Sequence, residues 1–386
     1  MRLRFGRFLR PRRLPPEVLV LGTSNSIGPN SYVASLARRT GMPLQNLSIG
    51  ASASTVGLYQ SAAIRPARNG FALFDYAIND NDAGYNLWGL ARAPAVIATT
   101  FHTLAALVAA AGYFPIVLIL PSDLSKAEDF FGEAVHRDIC LRLGLNYLSV
   151  RTLVLRAIAA GVPTATLMRD EWHMSDAVAD LLAGLLAGII ATLDRARPVL
   201  TARREKVQAL RTVPAPHLFQ ENRIGALASS LRQASYGLLA AGMRIEVALA
   251  EGERVGGIMV NGGGNGANLV LRGEREVVKR VNFEWSGYRP KPFFSVFVDL
   301  AEPLAGSSGT VTIELAGDDR LPTERTIHER PLNAEVPREV ELEAVFITGP
   351  ERDLDFVSRS YPGLPLDLGE LGETERFYRA LLGLRS

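Results

Sequence analysis

Five short segments read as strands, Val18–Leu21, Leu44–Ser48, Phe71–Ile78, Ile116–Leu120 and Asn146–Val150, and they alternate with segments that read as helices. The helical segments are Ser31–Arg39, Ser54–Arg65, Ala95–Ala111 and Ala127–Leu143, and a long one, Asp176–Ala196, closes the series. Strands that alternate with helices pair in parallel, because each crossover helix lies on a face of the sheet. The pattern therefore predicts an α/β domain. In such a domain the ligand crevice lies beyond the carboxyl ends of the strands, so the turns after the first three strands are the places to look for chemistry.

The apolar period changes after about residue 200. Ile245, Val247 and Leu249 alternate with polar residues, as do Val296 and Val298, then Val311, Ile313 and Leu315, and then Val340, Leu342, Ala344 and Phe346. Period two predicts an antiparallel, sandwich-like β domain. Arg203–Arg211 is rich in charge and Pro214-Ala215-Pro216 breaks regular structure, so a boundary is expected there. The expected division is a basic arm at 1–16, an α/β domain at 17–200, a linker at 201–216 and a β-rich domain at 217–386 that ends in a helix near Glu370–Leu382.

A net charge of +2 provides no strong field for nucleic acid, and none is expected as a partner. The single cysteine, Cys140, excludes an internal disulfide framework and fits a reducing compartment. Arg2, Arg4, Arg7, Arg10, Arg12 and Arg13 precede the first acid, Glu17, with no apolar leader, so a cytoplasmic location is expected. Phe5, Phe8 and Leu9 lie among these arginines. The arm reads first as solvated, with contact to an anionic membrane surface as the alternative. Ala93–Ser122 carries no charge, but Pro94, His102, Gly112 and Pro115 favour a buried helix and strand over a membrane span. His102, His136, His217 and His328 lack ligand spacing, so neither metal nor cofactor is expected. Asn261–Gly266 reads as a turn, since no helix follows. Trp285, Tyr288, Phe293 and Phe294 read as core or as a sugar-binding face.

Ser24 follows the first strand in Gly22-Thr23-Ser24-Asn25-Ser26. A nucleophilic serine needs a base and a group that orients the base. His173 has Asp170 three residues before it, in a loop that precedes a helix. A carboxylate at that spacing can hold one ring nitrogen and leave the other for Ser24.

These residues resemble the motif blocks of the SGNH hydrolases, also called GDSL esterases. The family's Gly-Asp-Ser-x-Ser is matched by Gly22–Ser26, its block-two glycine by Gly50 in Asn46–Gly50, its Gly-x-Asn-Asp by Ala77–Asp80, and its Asp-x-x-His by Asp170–His173. The four occur in family order over about residues 17–197. Thr23 and Ala77 depart from the usual Asp and Gly. The resemblance implies a three-layer, flavodoxin-like SGNH fold with Ser24, His173 and Asp170 as catalytic triad. It also implies an oxyanion hole made by the backbone N–H groups of Ser24 and Gly50 and the side chain of Asn79. Asn79 is expected there rather than Asn81, because the strand is expected to end at Ile78. The implied activity is a serine esterase that removes a small O-acyl group, such as acetyl, from a carbohydrate. The alternatives are an O-acyltransferase of polysaccharide biosynthesis and a non-catalytic carbohydrate-binding or scaffold protein.

Overall fold

A computed structural model describes residues 15–122, 124, 130–228, 233–262, 267–283, 295–317, 320–327, 329 and 338–385. Residues 1–14 of the basic arm, residues 263–266 of the glycine-rich turn, and Trp285, Tyr288, Phe293 and Phe294 lie outside the described residues. So does His328.

The first sheet is parallel, with strands β1 (Glu17–Gly22), β2 (Leu44–Asn46), β3 (Gly70–Asp75), β4 (Tyr113–Ile119) and β5 (Asn146–Ser149) in the order β2-β1-β3-β4-β5. Side chains alternate between its faces. Val18, Val20, Phe71, Leu73, Ile116 and Leu118 fill one core, while Leu19, Leu21, Ala72, Phe74, Val117 and Ile119 fill the other. The first core is covered by α1 (Tyr32–Thr40), α6 (Val150–Ala159) and α8 (Asp176–Arg195). The second is covered by α2 (Thr55–Gln60), α4 (Ala93–Ala110) and α5 (Phe131–Leu143). Two shorter helices, α3 (Ala77–Ala83) and α7 (Thr164–Leu167), lie in connections. By length and composition α4 and α8 could cross a membrane, but each has one side buried in these cores.

The second unit is all β. It contains β6 (Val199–Pro214), β7 (Ile224–Ala228), β8 (Gln233–Ala240), β9 (Arg244–Ala248), β10 (Arg254–Asn261), β11 (Asn268–Arg272), β12 (Glu276–Arg280), β13 (Ser295–Ala305), β14 (Thr310–Leu315) and β15 (Glu339–Ser360). One sheet runs β13-β10-β15-β8-β7 with β6 paired to β15, and the other runs β12-β11-β14-β9. Period two sorts the first sheet's side chains. Ile258, Val260, Val296, Val298, Val345 and Ile347 face the other sheet. Met259, Phe297, Ala344 and Phe346 face the α/β unit. There the Tyr59 ring lies 6.1 Å from Phe297 and 6.3 Å from Phe346, and its hydroxyl donates to Glu343 at 2.9 Å. The fold class expected from the sequence is therefore the one observed, an α/β parallel sheet followed by antiparallel sheets.

Three local expectations change. The third strand ends at Asp75 rather than Ile78, and α3 begins at Ala77, its first turn closed by the Asp80 N–H on the Tyr76 carbonyl at 2.9 Å. An apolar run does not distinguish a continuing strand from a buried helical turn. The expected linker, 201–216, is largely strand: β6 pairs with β15 from Val199↔Ser360 to Pro214↔Ala344. Its charges sit on solvent-facing positions, where Arg204 pairs with Asp355 at 2.7 Å. Finally, the helix that closes the sequence, α9 (Gly372–Leu382), packs into the α/β unit and not the β unit. Tyr361, Leu368, Phe377 and Leu381 belong to the α/β core, and the Tyr147 N–H bonds the Leu366 carbonyl at 2.9 Å. The β unit is thus an insertion, entered along β6 and left along β15.

Candidate active site

The site forms at the carboxyl end of β1, where the chain turns through a one-turn helix, Ser24–Ser26. A buried carboxyl from β3 holds this turn from below. Asp75 accepts from the Thr23 N–H at 2.6 Å and the Tyr32 hydroxyl at 2.7 Å, and also contacts the Ser26 hydroxyl. Gly22 is required beside it, because a Cβ there would lie 2.3 Å from Asp75 Oδ1. The carboxylate that the family pattern puts at position 23 is thus absent, and one from the neighbouring strand lies under the turn.

Burial pushes the Asp75 carboxyl up to about 6, against the opposing pull of its hydrogen-bond donors. A raised folded-state value favours the protonated form in the fold. Its contribution to stability is complete below about pH 4 and is lost as pH rises through about 6. The expected loss is on the order of 3 kcal/mol. Urea unfolding of wild type and Asp75→Asn between pH 4 and 7.5 tests this: the wild type should weaken with rising pH relative to the variant. Parallel pH profiles would refute it.

The base loop precedes α8. Asp170 Oδ1 accepts from the N–H groups of Trp172 and His173, both at 2.9 Å, so the carboxylate shapes the loop. Both its oxygens also meet His173 Nδ1, at 2.8 and 2.9 Å. Burial raises the Asp170 pKa, but these N–H groups and the imidazole outweigh it and hold it below the usual carboxylate range. His173 Nε2 lies 2.8 Å from Ser24 Oγ. The structure therefore brings Ser24, His173 and Asp170 into one hydrogen-bonded line, although Ser24 and His173 are 149 positions apart.

Gly50 is buried in the turn after β2, and Ala51 beside it has φ of 54°, a conformation that costs a non-glycine residue energy. The turn is tied down on several sides. Asn46 Nδ2 donates to the Ser26 carbonyl at 2.8 Å, Asn79 Nδ2 to the Ser52 carbonyl at 2.9 Å, and the Ser54 N–H to Asp80 Oδ1 at 2.7 Å. Asp80 in turn meets His136 Nε2 at 2.8 Å, both side chains being fully buried. From the β unit, the Phe297 N–H reaches Ser52 Oγ at 3.4 Å and Asp299 meets the Thr55 hydroxyl. Asn79 is thus on the Gly50–Ser54 turn, inside α3 rather than just past a strand end. Asn81 points elsewhere, its Oδ1 accepting from the Gly132 N–H at 3.1 Å.

A cleft of about 130 Å³ opens beside Ser24 and His173, lined also by Asn25, Asn30, Arg169 and Asp176. Among the described residues no group of three or more His, Cys, Asp or Glu is placed to hold a metal ion. The sequence reading missed Asp75 and Asn25. Nothing in the spacing of Asp75 from Thr23 and Ser26 signals their contact, which depends on strand order. Asn25 stands inside the Gly22–Ser26 motif, where nothing local marks its side chain as a contact to the loop of His173.

No protein-family model matches the chain, and no curated protein does. Among solved structures, it is similar to a two-domain esterase (CEX) active on acetylated mannans, at 12% identity and a TM-score of 0.55, over 87% of this chain and 92% of that one. The same esterase co-crystallized with mannopentaose matches at 12% identity and a TM-score of 0.57, over 88% and 92% of the two chains.

Proposed function

We propose that this chain, which has the two-domain fold of that esterase, is a serine esterase that removes a small O-acyl group from a carbohydrate. The observation that carries the reading is the line Asp170–His173–Ser24, with Nε2 2.8 Å from Oγ. His173 takes the Ser24 proton as Oγ attacks the ester carbonyl carbon. Asp170 holds the imidazole in the tautomer with Nδ1 protonated and stabilises the imidazolium. Collapse of the tetrahedral intermediate breaks the ester C–O bond, and His173 returns the proton to the leaving sugar hydroxyl. Water, deprotonated by His173, then releases the acid and restores Ser24. The carbohydrate and its small acyl group are supported by the two-domain fold shared with the esterase active on acetylated mannans. A panel of acetylated, butyrylated and longer-chain sugar esters, with products identified by mass spectrometry, tests this. Acetate release from acetylated mannan oligosaccharides is the expected result, and no ester cleavage across the panel would overturn it.

The oxyanion donors in this reading are the N–H groups of Ser24 and Gly50 and the Asn79 amide. One such donor is worth about 10²–10³ in kcat. Asn79→Ala should lose that much with little change in KM, whereas Asn81→Ala should retain most of its kcat, because its side chain bonds the α5 end. The reverse ranking would remove Asn79 from the site.

A further inference from the structure

Asn25 follows the nucleophile and is 8% exposed. Its Nδ2 donates to the Trp172 carbonyl at 2.9 Å, and its Oδ1 accepts from the Met174 N–H at 3.2 Å. Those two backbone groups flank His173. They are the pair that a neighbouring strand would engage at that residue, so the side-chain amide replaces a strand edge. The other bonds of the loop are internal: the Asp170 turn, the Arg169 N–H on the His173 carbonyl at 2.9 Å, and the bridge between Met168 and Met174. They fix the loop's own shape but do not attach it to the turn that carries Ser24. Among the described residues, the hydrogen bonds from residues 24–26 to the loop are those of Ser24 itself and Asn25.

We infer that Asn25 is a positioning residue, which clamps the backbone on both sides of His173 so that Nε2 stays within reach of Ser24 Oγ. This rests on the esterase reading of the site. Both polar ends of Asn25 are engaged by backbone, so the residue acts through His173 rather than on substrate. Without the clamp the loop can shift as a unit, and a displacement of about 1 Å in a reacting group costs roughly 10²-fold in rate.

The test is the rate at which a fluorophosphonate labels Ser24, followed by mass spectrometry of the intact chain. Five proteins are compared: wild type, Asn25→Leu, Asn25→Asp, His173→Ala and the double variant Asn25→Leu/His173→Ala. Asn25→Leu keeps the side-chain size and removes both bonds. Asn25→Asp keeps the acceptor for Met174 and sets an anionic oxygen against the Trp172 carbonyl. Each should label about 10²-fold more slowly than wild type. In ester hydrolysis the same loss should fall on kcat, with KM unchanged. Adding Asn25→Leu to His173→Ala should cost nothing further, because the clamp has no imidazole left to position. A purely structural residue would cost the same in both backgrounds, and that outcome overturns the inference. Wild-type rates in folded Asn25 variants overturn it as well, while wild-type labelling leaves the esterase reading standing. If wild-type Ser24 is not labelled, both fail. If neither Asn25 variant folds, Asn25 serves folding alone and the inference is overturned.

Discussion

Ser24→Ala is expected to lower kcat for sugar-ester hydrolysis by about 10⁶-fold while leaving the melting temperature nearly unchanged. Removal of the serine nucleophile from a triad costs about that much, because the remaining groups have nothing left to activate. The fold should tolerate it: Ser24 is half-buried within an otherwise buried turn, and among the described residues its hydroxyl bonds His173 alone. The turn itself is held through Thr23, Ser26 and Asn25, which the substitution leaves in place. Parallel calorimetry and progress curves on the purified variant measure both halves of the claim. Full activity in a folded Ser24→Ala protein would place the nucleophile elsewhere and end the reading of Ser24 as the esterase nucleophile.

Ending the chain after residue 216 is expected to leave no folded α/β domain. The sequence alone suggests a folded α/β domain unless the interface with the later residues is large and apolar, because all four motif blocks precede residue 197 and the later residues read as a separate unit. The structure reverses this. Truncation there removes Tyr361, Leu368, Phe377 and Leu381, all within the core between the sheet and α8. At about 1.5–3 kcal/mol for each large apolar side chain buried, their loss comes to roughly 6–12 kcal/mol. That matches the whole stability of an ordinary domain, about 5–15 kcal/mol. The cut also strips the partner of the Tyr147 N–H at the outer edge of the sheet and the Glu373 carboxylate that holds the Thr192 hydroxyl at 2.8 Å. A far-ultraviolet circular dichroism melt of residues 1–216 should show no cooperative transition. A variant with the β insertion replaced by a short linker and 361–386 retained keeps these contacts but exposes Tyr59 and its apolar neighbours, so it should melt cooperatively below the full chain. Cooperative melting of the 1–216 fragment near the full-length temperature would refute the argument.

The sequence determined what depends on neighbours in the chain. The apolar runs were enough to place the parallel sheet, because burial on both faces excludes polar residues from a strand. Period two was enough to place the β unit, because alternate residues of a strand face opposite sides. Asp170 and His173 were legible together because three residues lie within one turn of chain, and Ser24 because it closes the first strand. Tertiary structure decided what depends on distant partners. Asp75 lies beneath Thr23 only because β3 is paired with β1, and Asn25 meets Trp172 and Met174 only because α8 brings its preceding loop back over that turn. The charged segment 201–216 is strand only because β15 supplies its ladder, and α9 belongs to the first core only because β15 returns the chain there. Local composition cannot report these pairings, since a backbone N–H or an apolar face is satisfied equally well by any partner that the fold delivers.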